Sequence, residues 1–284
     1  MIGFVNVNKP SGLTSSKVVS ILKKHFNISK IGHMGTLDPL AEGVLPIALG
    51  KATRMFDYLL QKHKVYIAEF TFGKTTNTLD SDGQITATNE HIPTKSDIIA
   101  ILPQLTGKIS QLPPQFSAKK VNGRCAYDLA RNGEFVDLKP KEIEIYNIAL
   151  LKQVDDCTFR FEIECSGGTY IRSIARDMAT LLNSEAYMSK LIRSSAGKFN
   201  INKSFTIDEI KDKTLRDIII NIEDVFDFPI INLNGETTKN LLDGKIVKVD
   251  NFNGQYFIKC DKILIGIGEV NNNILKIKTY LKED

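Results

Sequence analysis

The chain has 284 residues, 42% of them hydrophobic and 25% charged, with a formal net charge of +4. That length suits one large domain, or a large and a small one, with a core that needs no staples. The composition excludes a disordered or fibrous chain, and no apolar run approaches the ~20 residues of a membrane span.

In chain order, residues 2–7 read as a short strand and Lys9-Pro10-Ser11-Gly12 as a turn. Thr14 or Ser15 can cap a helix over 16–26 with Val18, Val19, Leu22 and Phe26 on one face. Residues 32–39 form a loop, 44–49 a buried strand, 53–61 a helix and 65–72 a strand. Residues 73–83 are turn material, and 95–105 are helical. Residues 108–141 hold Pro113-Pro114, Lys119-Lys120 and a short helix ending at Asn132-Gly133, and read as a protruding basic insertion. Strands over 142–152 and 157–165 precede a helix over 170–182 with Ile174, Met178 and Leu181 inward. Acidic residues 208–227 end at Phe228-Pro229. Short strands at 246–249, 255–259, 263–267 and 274–279, separated by Asn/Asp/Gly turns, form a small β module. The expected class is therefore α+β, with a body over 1–228 and a β module over 229–284.

Charge is unevenly placed. Residues 1–64 hold nine Lys/Arg against three Asp/Glu, and 108–141 hold seven against three. Two basic blocks in a near-neutral chain suggest a face for a polyanion. Other chemistries lack their signals. Gly43 and Gly50-Lys51 are separated by six residues and followed by Ala52, which fails the phosphate-loop pattern. Gly266-Ile267-Gly268 lacks the third glycine of a dinucleotide fingerprint. His25, His33, His63 and His91 show no metal-ligand spacing. Neither a metal nor an organic cofactor is expected. Cys125, Cys157, Cys165 and Cys260 show no C-x-x-C spacing and read as buried, reduced thiols. The first residues lack the pattern of a secretion signal, so a cytoplasmic location is expected.

The most informative stretch is Gly32-His33-Met34-Gly35-Thr36-Leu37-Asp38-Pro39-Leu40-Ala41-Glu42-Gly43-Val44-Leu45-Pro46. Pro39 pushes Asp38 out of the helical region, and Gly35 and Gly43 permit close approach by another chain or a ligand. The result is a stiff bend presenting one carboxylate. Taken alone, Asp-Pro equally suits a simple turn.

This pattern, G-H-x-G-x-L-D-P-x-A-x-G-x-L-P, resembles the catalytic loop of the TruB family of tRNA pseudouridine synthases. The resemblance runs along nearly the whole chain. Lys9-Pro10-Ser11-Gly12 resembles the family's K-P-x-G turn, and Lys64-Val65-Tyr66-Ile67-Ala68 its K-x-Y-x-A strand. Residues 73–83 resemble G-x-x-T-D-T-x-D-x-x-G, residues 111–118 Q-x-P-P-x-[FY]-S-A, and residues 165–172 C-x-x-G-T-Y-I-R. The tail is similar to a PUA-type RNA-binding module. Asn77 stands where the family has Asp, and Ile192 where it has Arg.

The resemblance implies a mixed central sheet flanked by helices, a thumb-like insertion over 108–141 and the C-terminal PUA-like module. It implies conversion of uridine to pseudouridine at position 55, in the T loop of tRNA, without a cofactor. Asp38 matches the nucleophile and Arg172 the arginine beside it, which would keep a pocket carboxylate charged. Tyr66 would stack on a flipped base and help remove the C5 proton, although a strand tyrosine equally suits the core. His33 would fill the space the base leaves, Asp80 would line the same pocket, and Leu191 would pack on the uracil. Lys9, Lys51, Arg54, Lys119, Lys120, Arg124, Arg131 and Arg193 are the candidates for phosphate contacts. Attack by Asp38 at C1′, attack at C6 and assisted elimination at the sugar all stay open. The partner implied is the T arm of tRNA, the oligomeric expectation a monomer, and no membrane is involved. An RNA chaperone in which catalysis is secondary and an unrelated hydrolase using Asp38 are the competing readings.

Overall fold

A computed structural model describes residues 1–282 except 118, 122, 132 and 135; for Lys120, Val121, Arg124, Cys125, Tyr127, Asp128 and Arg131 it describes the backbone only. The expected phosphate contacts of Lys120, Arg124 and Arg131 therefore lie outside what is described.

Strand alternation decides the architecture. Val5, Val7 and Lys9 share one face of the Gly3–Lys9 strand, while Lys64, Tyr66, Ala68, Phe70 and Phe72 share one face of Lys64–Phe72. All are buried. The central sheet runs in the order Ile219–Ile220, Gly3–Lys9, Glu42–Leu49, Ala186–Ala196, Lys64–Phe72, Thr158–Cys165, Lys141–Gln153, Gly107–Gln111. Ile31–His33 and Phe199–Asn200 add to it beside Glu42–Leu49 and Ala186–Ala196. Glu42–Leu49 and Ala186–Ala196 pair in parallel and the other neighbours in antiparallel, so the sheet is mixed.

The Ser15–His25 helix starts at Thr14, whose hydroxyl accepts from the Lys17 amide, and buries Val18 and Leu22. The Ile171–Leu181 helix covers the sheet with Ile174, Ala175 and Met178. Leu181, expected inward, is exposed; the chain leaves the helix there and Leu182 turns in instead. In place of the helix expected over 53–61 stand a 3₁₀ turn, Gly50–Met55, and a short α-helix, Phe56–Leu60. Residues 108–111 and 141 are strand residues of the central sheet, so the insertion is shorter at both ends than expected.

Among the elements without a sequence expectation are the central strand Ala186–Ala196 and the helix Gly235–Leu242. The C-terminal residues form a five-stranded sheet of Ile230–Leu233, Gly254–Cys260, Ile263–Asn271, Ile274–Tyr280 and Val247–Lys248. Its Phe257, Ile267 and Leu281 pack with Phe4, Phe199 and Phe226 of the body. Cys165 is buried, but Cys157 and Cys260 are half-exposed, against expectation. Among the described residues no helix is long and apolar enough to cross a membrane.

Candidate active site

The Asp38 bend is held from below by buried polar groups. The Ser15 hydroxyl donates to the Leu37 carbonyl (3.0 Å) and accepts from the Leu37 amide (2.9 Å). Lys9 donates to the carbonyls of Pro10, Leu13 and Pro39 at 2.6–3.1 Å. Arg193 donates to the carbonyls of Val44, Gly35 and Thr36. Gly43 is required here: its φ is +100°, and a Cβ would lie 2.4 Å from the Arg193 carbonyl oxygen. The close approach expected at Gly43 is therefore to this chain's own parallel strand.

Arg172 is the hub. Its Nε lies 2.9 Å from Asp38 Oδ2 and its Nη2 3.1 Å from Asp38 Oδ1. The same guanidinium reaches Asp80 Oδ2 (3.3 Å) and donates to the carbonyls of Thr78 and Phe116, both at 2.9 Å. Three motif segments thus converge on a side chain carried by a fourth. Arg172 is 7% exposed and Asp38 31%, so the cation is sealed while the carboxylate stays open. Gln111, also buried, clamps the backbone just before the arginine: its side chain donates to the Tyr170 carbonyl and accepts from the Tyr170 amide.

Asp38 opens on a cavity of about 430 Å³ lined by Gly35 to Asp38, Phe56, Leu60, Lys64, Tyr66, Pro113, Lys119, Lys141, Gly168 to Arg172, Leu191 and Arg193. That volume lies in the range that encloses small ligands. Tyr66 and Leu191 sit in this wall as expected from the motifs. Burial raises the Tyr66 phenol above its ordinary value, opposed by the nearby Arg193 charge.

Other expected residues sit elsewhere. Asp80 is not in the cavity wall; it lies behind Arg172, taking the Thr78 hydroxyl at 2.6 Å and the Asp82 amide at 3.2 Å. Burial pushes its carboxyl up, opposed by Thr78 and Arg172. His33 pairs with Ile47 outside the cavity wall, with its Nδ1 buried and unpartnered. Burial, then the Arg193 charge, lowers its imidazole. Lys9 and Arg193 do not reach a phosphate surface: both are buried, and their donors face backbone carbonyls. Lys51 and Arg54 donate to the carbonyls of Lys282 and Tyr280, joining the body to the C-terminal sheet. Asn77, the first departure from the family pattern, accepts from the Gln84 amide and closes a turn.

Three contributors went unread in the sequence: Ser15, Gln111 and Lys64. Lys64 had a legible signal, because it precedes Tyr66 by two residues in a strand and so shares its face.

The family model described as "TruB family pseudouridylate synthase (N terminal domain)" matches residues 23–171. The chain belongs to the TruB family. It is 40% identical to the tRNA pseudouridine synthase B of Rickettsia bellii, covering 95% of this chain and 94% of that one. The counterpart of the same name from Bradyrhizobium diazoefficiens is 36% identical over 95% of this chain and 83% of its own. Among solved structures, a chain of a Cbf5-Nop10-Gar1 complex matches with a TM-score of 0.74 at 23% identity, covering 98% of this chain and 84% of that one. A chain of an H/ACA RNP bound to a substrate RNA containing 2′-deoxyuridine matches with a TM-score of 0.72 at 22% identity, covering 99% and 85%. At those identities the two structures speak to the fold. Membership makes the chain a pseudouridine synthase, an isomerase.

Proposed function

We propose that this TruB-family enzyme isomerises uridine to pseudouridine at position 55 of the tRNA T loop, with Asp38 as nucleophile on a base turned out of its stack. The observation that carries the reading is the open carboxylate held at both oxygens by a sealed guanidinium, on the wall of a cavity of about 430 Å³. The names of its relatives support tRNA as the substrate.

The chemistry follows from the atoms. The C1′–N1 bond breaks, the uracil turns, a C1′–C5 bond forms, and the C5 proton is lost while N1 regains one. Nothing enters or leaves overall, so the reaction needs no cofactor. Arg172 fixes the carboxylate's orientation, leaving its outer lone pairs toward the cavity. Tyr66 and Leu191 supply a face for the everted ring. The buried phenol stays protonated at neutral pH, so Tyr66 handles the C5 proton as a hydroxyl relay and is not a resident base. Asp80 acts through Arg172. We assign residues 1–228 to the catalytic body and 229–284 to a PUA-like RNA-binding module.

The test is an unmodified tRNA transcript incubated with the protein, with pseudouridine mapped by position and free uracil measured. One pseudouridine, at position 55, without released uracil is expected. Free uracil would mark a hydrolase, and binding without modification would mark a chaperone.

A further inference from the structure

Breaking the C1′–N1 bond heterolytically leaves the electron pair, and negative charge, on the uracil, spread over N1 and its two carbonyl oxygens. The proposed mechanism gives that charge no partner. Arg172 is committed to Asp38, Asp80 and two carbonyls. Arg193 is committed to the carbonyls under the bend. Lys141, at the cavity wall, is exposed, and Lys119 donates to the Lys139 carbonyl.

Lys64 differs from all of these. It is buried, shares a strand face with Tyr66 and lines the same cavity as Asp38. Its ammonium donates to the carbonyls of Leu60 and Lys62, both at 2.8 Å, at the end of the Phe56–Leu60 helix. Two of its three N–H bonds are thereby used, and among the described residues it forms no ion pair with a carboxylate. Its neighbour across the sheet, Cys165, is held neutral by burial, its thiol raised to about 11. Burial lowers the lysine to about 8, which leaves it a cation at neutral pH. A buried, uncompensated charge is costly unless something meets it.

We propose that Lys64 is a catalytic residue whose remaining N–H meets a carbonyl oxygen of the everted uracil and stabilises the anion formed when the C1′–N1 bond breaks. The bond's electron pair goes to the ring and the ammonium keeps its proton; the charge is neutralised when C5 bonds to C1′, and the C5 proton is then lost while N1 gains one. The inference rests on the proposed bond cleavage, not on the route Asp38 takes.

The experiment compares wild type, Lys64→Gln and Lys64→Met in single-turnover cleavage of the glycosidic bond, on RNA carrying uridine or 5-fluorouridine at the target position. Fluorine withdraws electrons and stabilises the departing anion by itself. Gln retains N–H donors for the two carbonyls, and melting curves report folding. Both variants are expected to lose about 10²-fold in rate on uridine, as when one preorganised donor is removed, with RNA affinity nearly unchanged. On 5-fluorouridine the loss should shrink to about tenfold or less. An equal loss on both substrates would overturn the proposal and make Lys64 a positioning residue for the helix end, and no loss would overturn it outright. If Asp38→Asn also stays active, the reading of Asp38 as nucleophile fails, independently of Lys64.

Discussion

The Asp38 bend and the C-terminal sheet both lean on the same central strands, through opposite chemistry. Beneath the bend lie buried charged or polar side chains, namely Lys9, Ser15, Arg193 and Arg172, each bonded to backbone or carboxylate at fixed geometry. The C-terminal sheet is seated mainly by apolar contact. Phe228 stacks on Phe226 at 5.6 Å and meets Phe257 edge-on at 5.2 Å, with the Lys259–Glu223 pair and two basic side chains at the rim. Apolar packing is non-directional and holds a module in place. Buried hydrogen bonds are directional and costly to break, and hold an oxygen to within tenths of an ångström. The nucleophile sits where the second kind of adhesion is concentrated.

The sharpest way to break the contrast is Arg172→Ala. It leaves two carboxylates facing each other without their cation, and about 3–5 kcal/mol of stability should go with it. Turnover should fall more than 10³-fold while tRNA affinity changes much less; kcat and Kd measured separately decide this, and an unaltered kcat would remove Arg172 from the mechanism. Arg172→Lys should rescue little, because an ammonium cannot span both oxygens of Asp38 while reaching Asp80. Gly43→Ala comes next. Its Cβ would press on the Arg193 carbonyl at positive φ, and about 2–4 kcal/mol should be lost in urea unfolding.

Tyr66→Phe keeps the ring and loses the hydroxyl. Its kcat should fall about 10²-fold if the hydroxyl relays the proton. A kcat within twofold of wild type would reduce Tyr66 to a stacking surface.

How much of this was legible depended on whether a residue's role is written in backbone constraint or in partners. Asp38 was readable because Pro39, Gly35 and Gly43 leave the chain few conformations. Arg172 came from the motif, not from chemistry at its own position. The Ala186–Ala196 strand was missed because bulges at Met188/Lys190 and Arg193/Ser195 break its alternation, and because an arginine faces inward where an apolar residue would signal a strand. The Gly235–Leu242 helix was missed because Gly235, Thr237 and Thr238 are weak helix formers, and its start depends on the Asn234 cap. Lys9 was misread as a phosphate contact because a lysine beside Pro10 suggests a surface turn. Its place in the Val5, Val7, Lys9 alternation pointed inward.

That burial gives a smaller, pH-dependent prediction. Lys9 is lowered to about 8, so between pH 8 and 10.5 the unfolded chain binds a proton that the folded chain lacks. The cost of burying the charge is therefore full below pH 8 and is relieved as pH rises toward 10.5. Relative to Lys9→Met, wild type should gain on the order of 1–3 kcal/mol over that window in urea unfolding. Parallel curves would show that Lys9 remains charged. At the rim, Lys51→Ala with Arg54→Ala should cost less than about 1 kcal/mol and leave turnover on a T-arm hairpin unchanged. A large loss there would show that polar latches, not the phenylalanines, seat the C-terminal sheet.

The account stands on Asp38 as the reacting group. The direct measurement is single-turnover conversion by Asp38→Asn on unmodified tRNA, alongside its binding affinity. The account predicts no detectable pseudouridine with affinity within about threefold of wild type, since the amide keeps the shape and loses the charge. Pseudouridine formed at a measurable rate by that variant would contradict it.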